Sequence, residues 1–347
     1  MILLSRQHFQ PNPSNARALF ASSVSKVEIE TSQYCNRVCS YCPNSFIDRR
    51  TTKAKMDDAL FFSIIRQLGE IDYNGTLCFH RYNEPLSDRA DILRRLREAS
   101  AQLPQADLRI YTNGDYLDRD YLDELIQAGC RSLHATAHIE PADYTDDKAQ
   151  ALLEKRLRLL GHPYTLKRTT AGIEARVHAA DQLDFLYQVI DFGRPTDLGM
   201  VRLDRGQSIA TEHAAQRSAP CTRPFTEMQI ETDGTLMPCC NLRGDIPAHL
   251  GCSTGRLTPD SDIFAAWTSA HYVKWRSEMA TDQPKTGVCA TCTDGIDPEW
   301  GTARTPWQRL SGSALAHPAS VLRYVQRHGL RAAMQRSLDH AASMLRP

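Results

Sequence analysis

The chain has 347 residues, of which 41% are hydrophobic, and its 41 Lys and Arg residues are balanced by 41 Asp and Glu residues. This length can bury one large domain and a smaller one. The zero formal net charge argues against nucleic acid or a membrane surface as a partner. No apolar run approaches the roughly 20 residues that span a bilayer, and the short apolar start predicts no secretory signal, hence a cytoplasmic protein.

From Lys26 onward, short β-rich runs alternate with longer amphipathic stretches. Strands are predicted at residues 27–29, 76–82, 108–112, 132–136, 173–178 and 200–203. Helices are predicted at residues 58–71, 88–103, 119–128, 148–160 and 182–190. About six βα units demand a mostly parallel sheet with right-handed crossovers, which can form an open doubly wound sheet or an incomplete barrel.

The chain changes character after a break marked by Gly and Pro near residues 193–208. Beyond residue 301, arginines outnumber acids and apolar residues recur at helical spacing. This pattern predicts a basic helical tail packed against the body, with a docking surface for an acidic partner as the alternative. The predicted regions are an N-terminal extension (1–25), an α/β domain (26–205), a cysteine-rich domain (206–301) and the tail (302–347).

Eleven cysteines in a chain without a predicted signal favour metal ligation over a disulfide framework. Cys35, Cys39 and Cys42 form a triad on one loop directly after the first predicted strand. Three thiolates leave a metal site one protein ligand short, and such open positions are where metal chemistry takes place. A zinc knuckle completed by His80 or a distant cysteine is the alternative. Cys78 and Cys130 lie in apolar patterns and are expected to pack as small buried residues.

A second, dispersed group of cysteines predicts a second site. Cys221 is followed after 17 residues by Cys239, and residues 229–238 are typical of two short strands around an Asp-Gly turn. Such a hairpin brings its flanking cysteines near each other. With the closing pair Cys289 and Cys292, four thiols are expected to converge.

The triad, with Tyr41 before its last cysteine, resembles the signature of the radical S-adenosylmethionine (radical SAM) enzymes. The resemblance implies a [4Fe-4S] cluster on the three thiolates, with S-adenosylmethionine on the fourth iron. Its cleavage gives a 5'-deoxyadenosyl radical that abstracts hydrogen, and an external one-electron reductant of the flavodoxin or ferredoxin type is implied. The implied fold is α/β, a partial (β/α)6 TIM-like barrel.

The same resemblance assigns contacts to the nucleotide. Tyr41 stands where the family places an aromatic residue against the adenine. The segment containing Asn83 and Glu84 stands where the family has a Gly-Gly-Glu-Pro-like motif, which implies that Glu84 and the Asn83 backbone hold the methionyl ammonium. Asn replaces Gly there because Asn tolerates positive φ. Thr136 and Arg176 occupy positions where relatives often place ribose or carboxylate contacts, with a structural role as the alternative for each.

The later cysteines resemble the SPASM extension of radical SAM proteins in its shorter form, called twitch. The resemblance implies one auxiliary [4Fe-4S] cluster, with structural zinc as the alternative. Four thiolates complete such a cluster, so Cys240 and Cys252 are expected not to be ligands. The layout is closest to twitch enzymes of the 2-deoxy-scyllo-inosamine dehydrogenase type. The implied cluster ligands are Cys221, Cys239, Cys289 and Cys292.

These patterns predict a radical SAM oxidoreductase that acts on a small polar metabolite, such as an aminocyclitol, sugar or nucleoside, in natural-product biosynthesis. The short extension before the barrel leaves no room for a peptide-recognition domain, which favours a metabolite. The alternatives are a peptide maturase that oxidises or crosslinks a ribosomal peptide, a radical epimerase or C-C coupling enzyme, and a noncatalytic zinc or iron-sulfur interaction module. No acid or base is assigned; His80 and Arg202 are expected only to line the substrate site.

Overall fold

The computed structural model describes residues 5–193, 204–209 and 216–294, and its centre is one ten-stranded sheet. The strand order is β10-β9-β8-β1-β2-β3-β4-β7-β6-β5. The strands are β1 (Lys26–Ile29), β2 (Thr76–Cys78), β3 (Asp107–Thr112), β4 (Ser132–Thr136), β5 (Tyr164–Thr169), β6 (Gly172–Val177), β7 (Asp184–Ile190), β8 (Glu227–Ile230), β9 (Thr235–Met237) and β10 (Gly255–Arg256).

Six neighbouring strands of this sheet, β8, β1, β2, β3, β4 and β7, run parallel. Antiparallel strands extend it at both edges, β9 and β10 on one side and β6 and β5 on the other. The predicted α/β class is therefore confirmed. The predicted strand at 200–203 and the predicted helical tail lie outside the described residues.

Helices cover one face of the sheet. They are α1 (Ala16–Ser23), α2 (Asp58–Gly69), α3 (Arg89–Gln102), α4 (Arg119–Gln127), α5 (Asp146–Leu160), α6 (Arg223–Thr226), α7 (Ile263–Trp267) and α8 (Ala270–Met279). The N-cap side chains of α2 to α5 each accept a hydrogen bond from a backbone N–H three residues on, which fixes where each crossover helix begins. None of the described helices is long and apolar enough to cross a bilayer.

The two faces of the parallel strands differ in chemistry. Alternate residues such as Val27, Leu77 and Leu133 belong to one apolar core that also contains the inward faces of α2 to α5. The residues between them point the other way, because successive strand residues face opposite sides. We call this second side the polar face; it carries Glu28, Cys78, His80, Arg109, Tyr111, His134, Thr136, Gln188, Gln229 and Glu231. Parallel sheets are usually apolar on both sides, so a polar face indicates a site.

Two predicted elements are wrong. Residues 182–190, predicted as a helix, form β7, whose core-facing Phe185, Tyr187 and Val189 alternate with outward residues. The predicted fifth parallel strand is β6, which pairs antiparallel with β5 and β7. The sixth parallel strand is instead β8, predicted as part of the auxiliary hairpin, which pairs with β1. The sheet is thus continuous across the predicted domain boundary near residue 205.

Candidate active site and auxiliary cluster site

The triad lies on the loop that follows β1, at the carboxyl edge of the parallel strands, where ligands of parallel α/β sheets usually bind. All three cysteines are free thiols. The pKa of Cys35 and of Cys39 is raised to about 11. Burial is the main cause, and neighbouring thiols of the triad contribute to both shifts. The backbone N–H of Cys42 donates to the Cys39 carbonyl over 3.0 Å, which turns the loop. Cys39 and Cys42 both raise the pKa of Cys35, so the three thiols of the triad are neighbours.

A single carboxylate holds this loop in place. Asp115 accepts two hydrogen bonds from Arg37, at 2.6 and 2.7 Å, and one from Asn36 at 2.8 Å. Arg156 of α5 donates to the same carboxylate. Asp115 reaches the loop because Gly114 turns the chain after β3 with φ 72°, where a Cβ would lie 2.3 Å from the Tyr187 hydroxyl.

Tyr41 is buried beside the triad. Its ring stacks on Phe192 with 3.9 Å between ring centroids, and its hydroxyl lies 2.6 Å from Nδ1 of His138. Burial lowers the pKa of His138 to about 4, so this imidazole is neutral at pH 7. Tyr41 thus lies beside the triad in contact with two other rings, and its contact with the adenine stays a prediction.

Glu84 is 1% exposed and lies in the segment after β2. Its carboxylate accepts hydrogen bonds from the Thr112 hydroxyl at 2.6 Å, the Asn113 N–H at 2.7 Å and the Leu86 N–H at 3.0 Å. Burial raises its pKa to about 7 despite these donors. These donors use three of the roughly four acceptor positions of a carboxylate. Its backbone N–H donates to the Tyr34 carbonyl next to the triad, at 2.8 Å.

Asn83 does not have a positive φ, so the explanation offered for Asn in place of Gly is wrong. Its side-chain oxygen accepts from the Arg81 backbone N–H at 3.1 Å and stabilises the turn after β2. The side chain is 3% exposed. Asn is therefore suited to this position by its hydrogen bonding rather than by its backbone freedom.

The structure separates the two other predicted nucleotide contacts. Thr136 ends β4 at the carboxyl edge and accepts a hydrogen bond from Gln188. Arg176 lies in the antiparallel strand β6, where it pairs with Asp184 at the amino end of β7. It is thus at the opposite edge of the sheet from the triad, because β6 runs against the parallel strands. Arg176 does not meet the triad.

Of the two residues predicted to line the substrate site, the structure describes His80. His80 lies on the polar face, with its ring centroid 5.8 Å from that of Tyr111, which contacts His134 at 5.1 Å. Burial lowers the pKa of both histidines to about 4. These three rings form a neutral row on the polar face, from the end of β2 across β3 to β4. Arg202 lies outside the described residues.

The auxiliary cysteines come from three separate segments. Cys221 precedes α6, and Cys239 follows β9. Since Met237 pairs with Gln229, Cys239 lies near the amino end of β8, at the edge opposite the triad. Burial raises the pKa of Cys289 to about 12 and of Cys292 to about 11, and Cys221 is among the neighbours that raise both. A hydrogen bond with the Cys240 thiol and burial raise the pKa of Cys239, and Cys221 contributes to the same shift. The four predicted thiols therefore share one neighbourhood.

The donor chemistry of both groups fits iron-sulfur clusters, whose sulfur ligands are often hydrogen-bonded. The Asn241 N–H lies 3.4 Å from the Cys239 sulfur, and Arg217 lies 3.6 Å from the Cys292 sulfur. Arg37 lowers the pKa of Cys39 against the effect of burial. Within the described residues, no three His, Cys, Asp or Glu side chains are grouped so as to hold a single metal ion.

The two remaining cysteines of this region differ in their surroundings. Cys252 is buried in a small apolar cluster with Met237 and Leu242, packed against Cys239. It also raises the pKa of Cys289, so it lies close to the auxiliary thiols. Cys240 offers its carbonyl oxygen to the Tyr82 hydroxyl at 2.8 Å. The segment after Cys239 therefore reaches the carboxyl-edge residues that follow β2.

Arg205 is a candidate site residue that sequence reasoning missed. It lies in a turn where Arg205, Gly206 and Gln207 all have positive φ, a conformation that is rare for Arg and Gln. Its guanidinium donates to Asn241 at 2.8 Å and lies 6.0 Å from the Tyr82 ring centroid. Burial opposes its charge, but Tyr82, Cys240 and Cys42 together raise its pKa. Arg205 thus lies between Cys42 of the triad and Asn241, two residues after Cys239.

Two protein-family models match parts of the chain. The radical SAM superfamily matches residues 29–175, and the iron-sulfur cluster-binding domain called SPASM matches residues 221–293. The first range contains the triad and Glu84, and the second contains all four auxiliary cysteines. The chain therefore contains a radical SAM domain and a SPASM-type iron-sulfur domain. Its implied cofactors are S-adenosylmethionine, a [4Fe-4S] cluster and auxiliary iron-sulfur binding.

One curated relative matches part of the chain. The S-adenosyl-L-methionine-dependent 2-deoxy-scyllo-inosamine dehydrogenase of Niallia circulans is 37% identical over 115 residues. That match spans 33% of this chain and 45% of the relative, less than half of the relative's length. The named relative is of the enzyme type that the cysteine layout resembles.

Two solved structures share the fold. BtrN in complex with AdoMet and 2-DOIA is 22% identical, with a TM-score of 0.56 over 78% of this chain and 94% of BtrN. BtrN with selenomethionine in an open conformation is 20% identical, with a TM-score of 0.51 over 78% of this chain and 92% of BtrN. At these identities the likeness shows the fold alone.

Proposed function

We propose that this chain is an oxidoreductase that removes hydrogen from a small polar metabolite, such as an aminocyclitol, a sugar or a nucleoside, in natural-product biosynthesis. The observation that carries the proposal is the polar face of the sheet. The triad lies at its carboxyl edge and Cys239 at its amino edge. A substrate on this face would lie between the two cysteine groups.

The residues of this face suit a polyhydroxylated or amino-substituted substrate. His80, Tyr111 and His134 are neutral hydrogen-bonding groups at pH 7, and Arg205 supplies a cation. Glu28 supplies a carboxylate, which also pairs with Lys26 at 2.7 Å. Such a set can bind hydroxyl and ammonium groups of one small molecule. The curated relative, named as an aminocyclitol dehydrogenase, supports the same substrate class.

The cofactors would be held by the groups described above. Cys35, Cys39 and Cys42 would hold the first cluster, and the four auxiliary thiols one further [4Fe-4S] cluster. When bound, S-adenosylmethionine with the first cluster supplies a hydrogen-abstracting radical, and the auxiliary cluster supplies a one-electron acceptor. Glu84 would bind the methionyl ammonium, and Tyr41 would contact the adenine. The external electron donor would be of the flavodoxin or ferredoxin type.

Neutral His80 would serve as a hydrogen-bond acceptor for a substrate hydroxyl and receive its proton during oxidation. Its pKa near 4 makes it a weak base, because burial disfavours the imidazolium form. Arg205 would orient the same hydroxyl and exclude water on the side of Tyr82. Tyr111 would hold His80 in position through its ring contact.

Deuterium transfer tests this function. The reconstituted enzyme is incubated with reductant, S-adenosylmethionine and aminocyclitols, sugars or nucleosides that carry deuterium on each alcohol carbon. The proposal predicts deuterium in 5'-deoxyadenosine and a product that has lost two hydrogen atoms. Transfer from a ribosomal peptide alone, or a product of unchanged composition, would contradict it, since the first indicates a peptide maturase and the second an epimerase.

A further inference from the structure

A buried arginine joins the two cysteine groups. Arg81 follows β2 and stands three residues before Glu84, and its side chain is 1% exposed. Every hydrogen bond that its guanidinium makes goes to the later part of the chain, about 150 residues away. The N–H groups of a guanidinium have a rigid planar geometry. A buried guanidinium that donates hydrogen bonds to several groups therefore holds those groups in fixed positions.

The contacts of Arg81 fall on β8 and the residue after it, and on the segment that follows β9. One terminal nitrogen donates to Glu231 at 2.9 Å, and Nε donates to Gln229 at 3.3 Å, both next to or within β8. The other terminal nitrogen donates to the carbonyl oxygens of Leu242 at 2.6 Å and of Cys239 at 3.4 Å. Arg81 thus binds the main chain of a predicted auxiliary ligand directly.

Neighbouring residues strengthen the same connection. The Tyr82 hydroxyl donates to the Cys240 carbonyl, and Arg243 lies over the Tyr82 ring at 4.8 Å. Arg243 also donates to the side-chain oxygen of Asn44 at 2.8 Å, and Asn44 donates to the Tyr82 carbonyl at 3.0 Å. Tyr82 and Asn44 therefore add contacts to the same stretch of chain after β9, through Cys240 and Arg243.

We propose that Arg81 is a positioning residue that fixes the auxiliary segment 239–242 against the SAM-binding segment 81–84. It thereby sets the separation and relative orientation of the two iron-sulfur clusters. The inference rests on the two-cluster arrangement of the proposed function, but not on its substrate. Electron transfer between a substrate radical and the auxiliary cluster depends on this separation, so a loosened segment would reduce oxidation without removing either cluster.

The test measures the magnetic interaction between the two reduced clusters by pulsed EPR in the substrate-free, fully reconstituted enzyme. For Arg81→Gln we expect unchanged iron content, altered g-values of the auxiliary cluster, and a broad distribution in place of a single inter-cluster distance. Arg81→Lys is expected to behave similarly, since one ammonium cannot reproduce the planar set of contacts to Glu231, Cys239 and Leu242.

Arg95 provides the matched control. Its side chain is also 1% exposed, and it pairs with Asp91 and Asp58 and donates to the Met56 carbonyl. It lies in α3, on the apolar side of the sheet, away from both cysteine groups. Arg95→Gln is expected to lower stability while leaving the inter-cluster interaction at the wild-type value. The same broadening in Arg95→Gln and Arg81→Gln would overturn the positioning role.

Glu231→Gln covers the case in which Arg81→Gln fails to fold, because it keeps the shape of the partner and removes its charge. We expect a smaller change of the inter-cluster interaction in the same direction. Wild-type interaction in every Arg81 and Glu231 variant that folds would overturn the inference. Wild-type protein that holds two clusters but oxidises no metabolite contradicts only the proposed substrate, and wild-type protein with one cluster contradicts both.

Discussion

The two cysteine groups are built in different ways. The triad comes from eight consecutive residues on one loop, and Asp115 ties that loop to the turn after β3. The auxiliary thiols come from three segments spread over residues 221–292, which meet only through the fold. Arg217 connects two of these segments, since it contacts the Cys292 sulfur and the Pro220 carbonyl. A local site can be recognised from spacing, whereas a dispersed site depends on side chains far from its ligands.

Loss of a triad ligand has the largest expected effect. Cys39→Ala is expected to abolish S-adenosylmethionine cleavage and to lower the iron content from roughly eight to roughly four per chain, because a cluster on two thiolates is not retained. Iron analysis and assay of 5'-deoxyadenosine measure both. Cys130→Ala is the control, since Cys130 is buried away from the triad and donates to the Ser132 carbonyl. Full retention of iron in Cys39→Ala would contradict the assignment of Cys39 as a cluster ligand.

Loss of an auxiliary ligand separates the two sites. Cys289→Ala is expected to abolish substrate oxidation and to retain reductive cleavage of S-adenosylmethionine, because the triad and Glu84 are untouched. The iron content should again fall to roughly four. Cys252→Ala, which alters a buried neighbour of the same thiols, is expected to keep both iron and oxidation. Iron loss in Cys252→Ala with none in Cys289→Ala would reassign the fourth ligand.

Asp115→Asn tests the support of the triad loop. The carboxylate is 19% exposed and accepts from Asn36, Arg37 and Arg156. We expect the free energy of unfolding to fall by about 2 kcal/mol, the scale of lost hydrogen bonds to a charged group. The triad cluster should also become easier to reduce, because Arg37 then keeps an uncompensated positive charge near Cys39. Denaturant titration and EPR potentiometry measure the two effects.

Asp118→Asn is a suitable control for this change, since Asp118 caps α4 without contacting the triad loop. It is expected to leave the reduction potential unchanged. An unaltered potential in Asp115→Asn would show that the charge of Arg37 is not sensed at the cluster.

The smallest expected effect is a pH dependence of nucleotide binding. Burial raises the pKa of Glu84 to about 7, so protonation below that pH removes the negative charge that would hold the methionyl ammonium. Affinity for S-adenosylmethionine should fall by up to about tenfold for each pH unit below 7, because a proton competes with the ammonium group. Calorimetry of the reconstituted enzyme between pH 5.5 and 8.5, on the order of three units, covers the transition.

In Glu84→Gln this pH dependence is expected to disappear, with affinity near the low-pH value of the wild type at every pH. A wild-type profile that is flat below pH 7 would remove Glu84 from ammonium binding.

Much of the fold was open to prediction because its signals are local. The first four parallel strands and the helices α2 to α5 follow from periodicity and capping residues. The strand β7 could also have been found, since Phe185, Tyr187 and Val189 place aromatic and β-branched residues at every second position of a short run. The edge strand β5 gave no such signal, because its side chains are mostly exposed and no apolar face is selected.

The parts that were missed depend on long-range pairing. The match of β8 to β1 joins residues about 200 positions apart, and no short pattern specifies it. The misplaced Arg176 follows from the same limit, since strand direction decides which edge of the sheet a residue reaches. Arg81 and Arg205 contact residues within 229–242. No local spacing of residues therefore marks either arginine as a site residue. The triad could be recognised from its local spacing, and the Glu84 segment from its resemblance to a family motif after a predicted strand, while the binding roles of both stay predictions.

The most direct test of the two-site account is Mössbauer and EPR spectroscopy of the reconstituted enzyme with and without S-adenosylmethionine. The account predicts two [4Fe-4S] clusters, roughly eight irons per chain. Addition of S-adenosylmethionine should change the signal of the triad cluster, whereas the auxiliary cluster has no free iron position and should keep its ligand set. One cluster only, zinc at the auxiliary thiols, or direct nucleotide binding at both clusters would contradict the account.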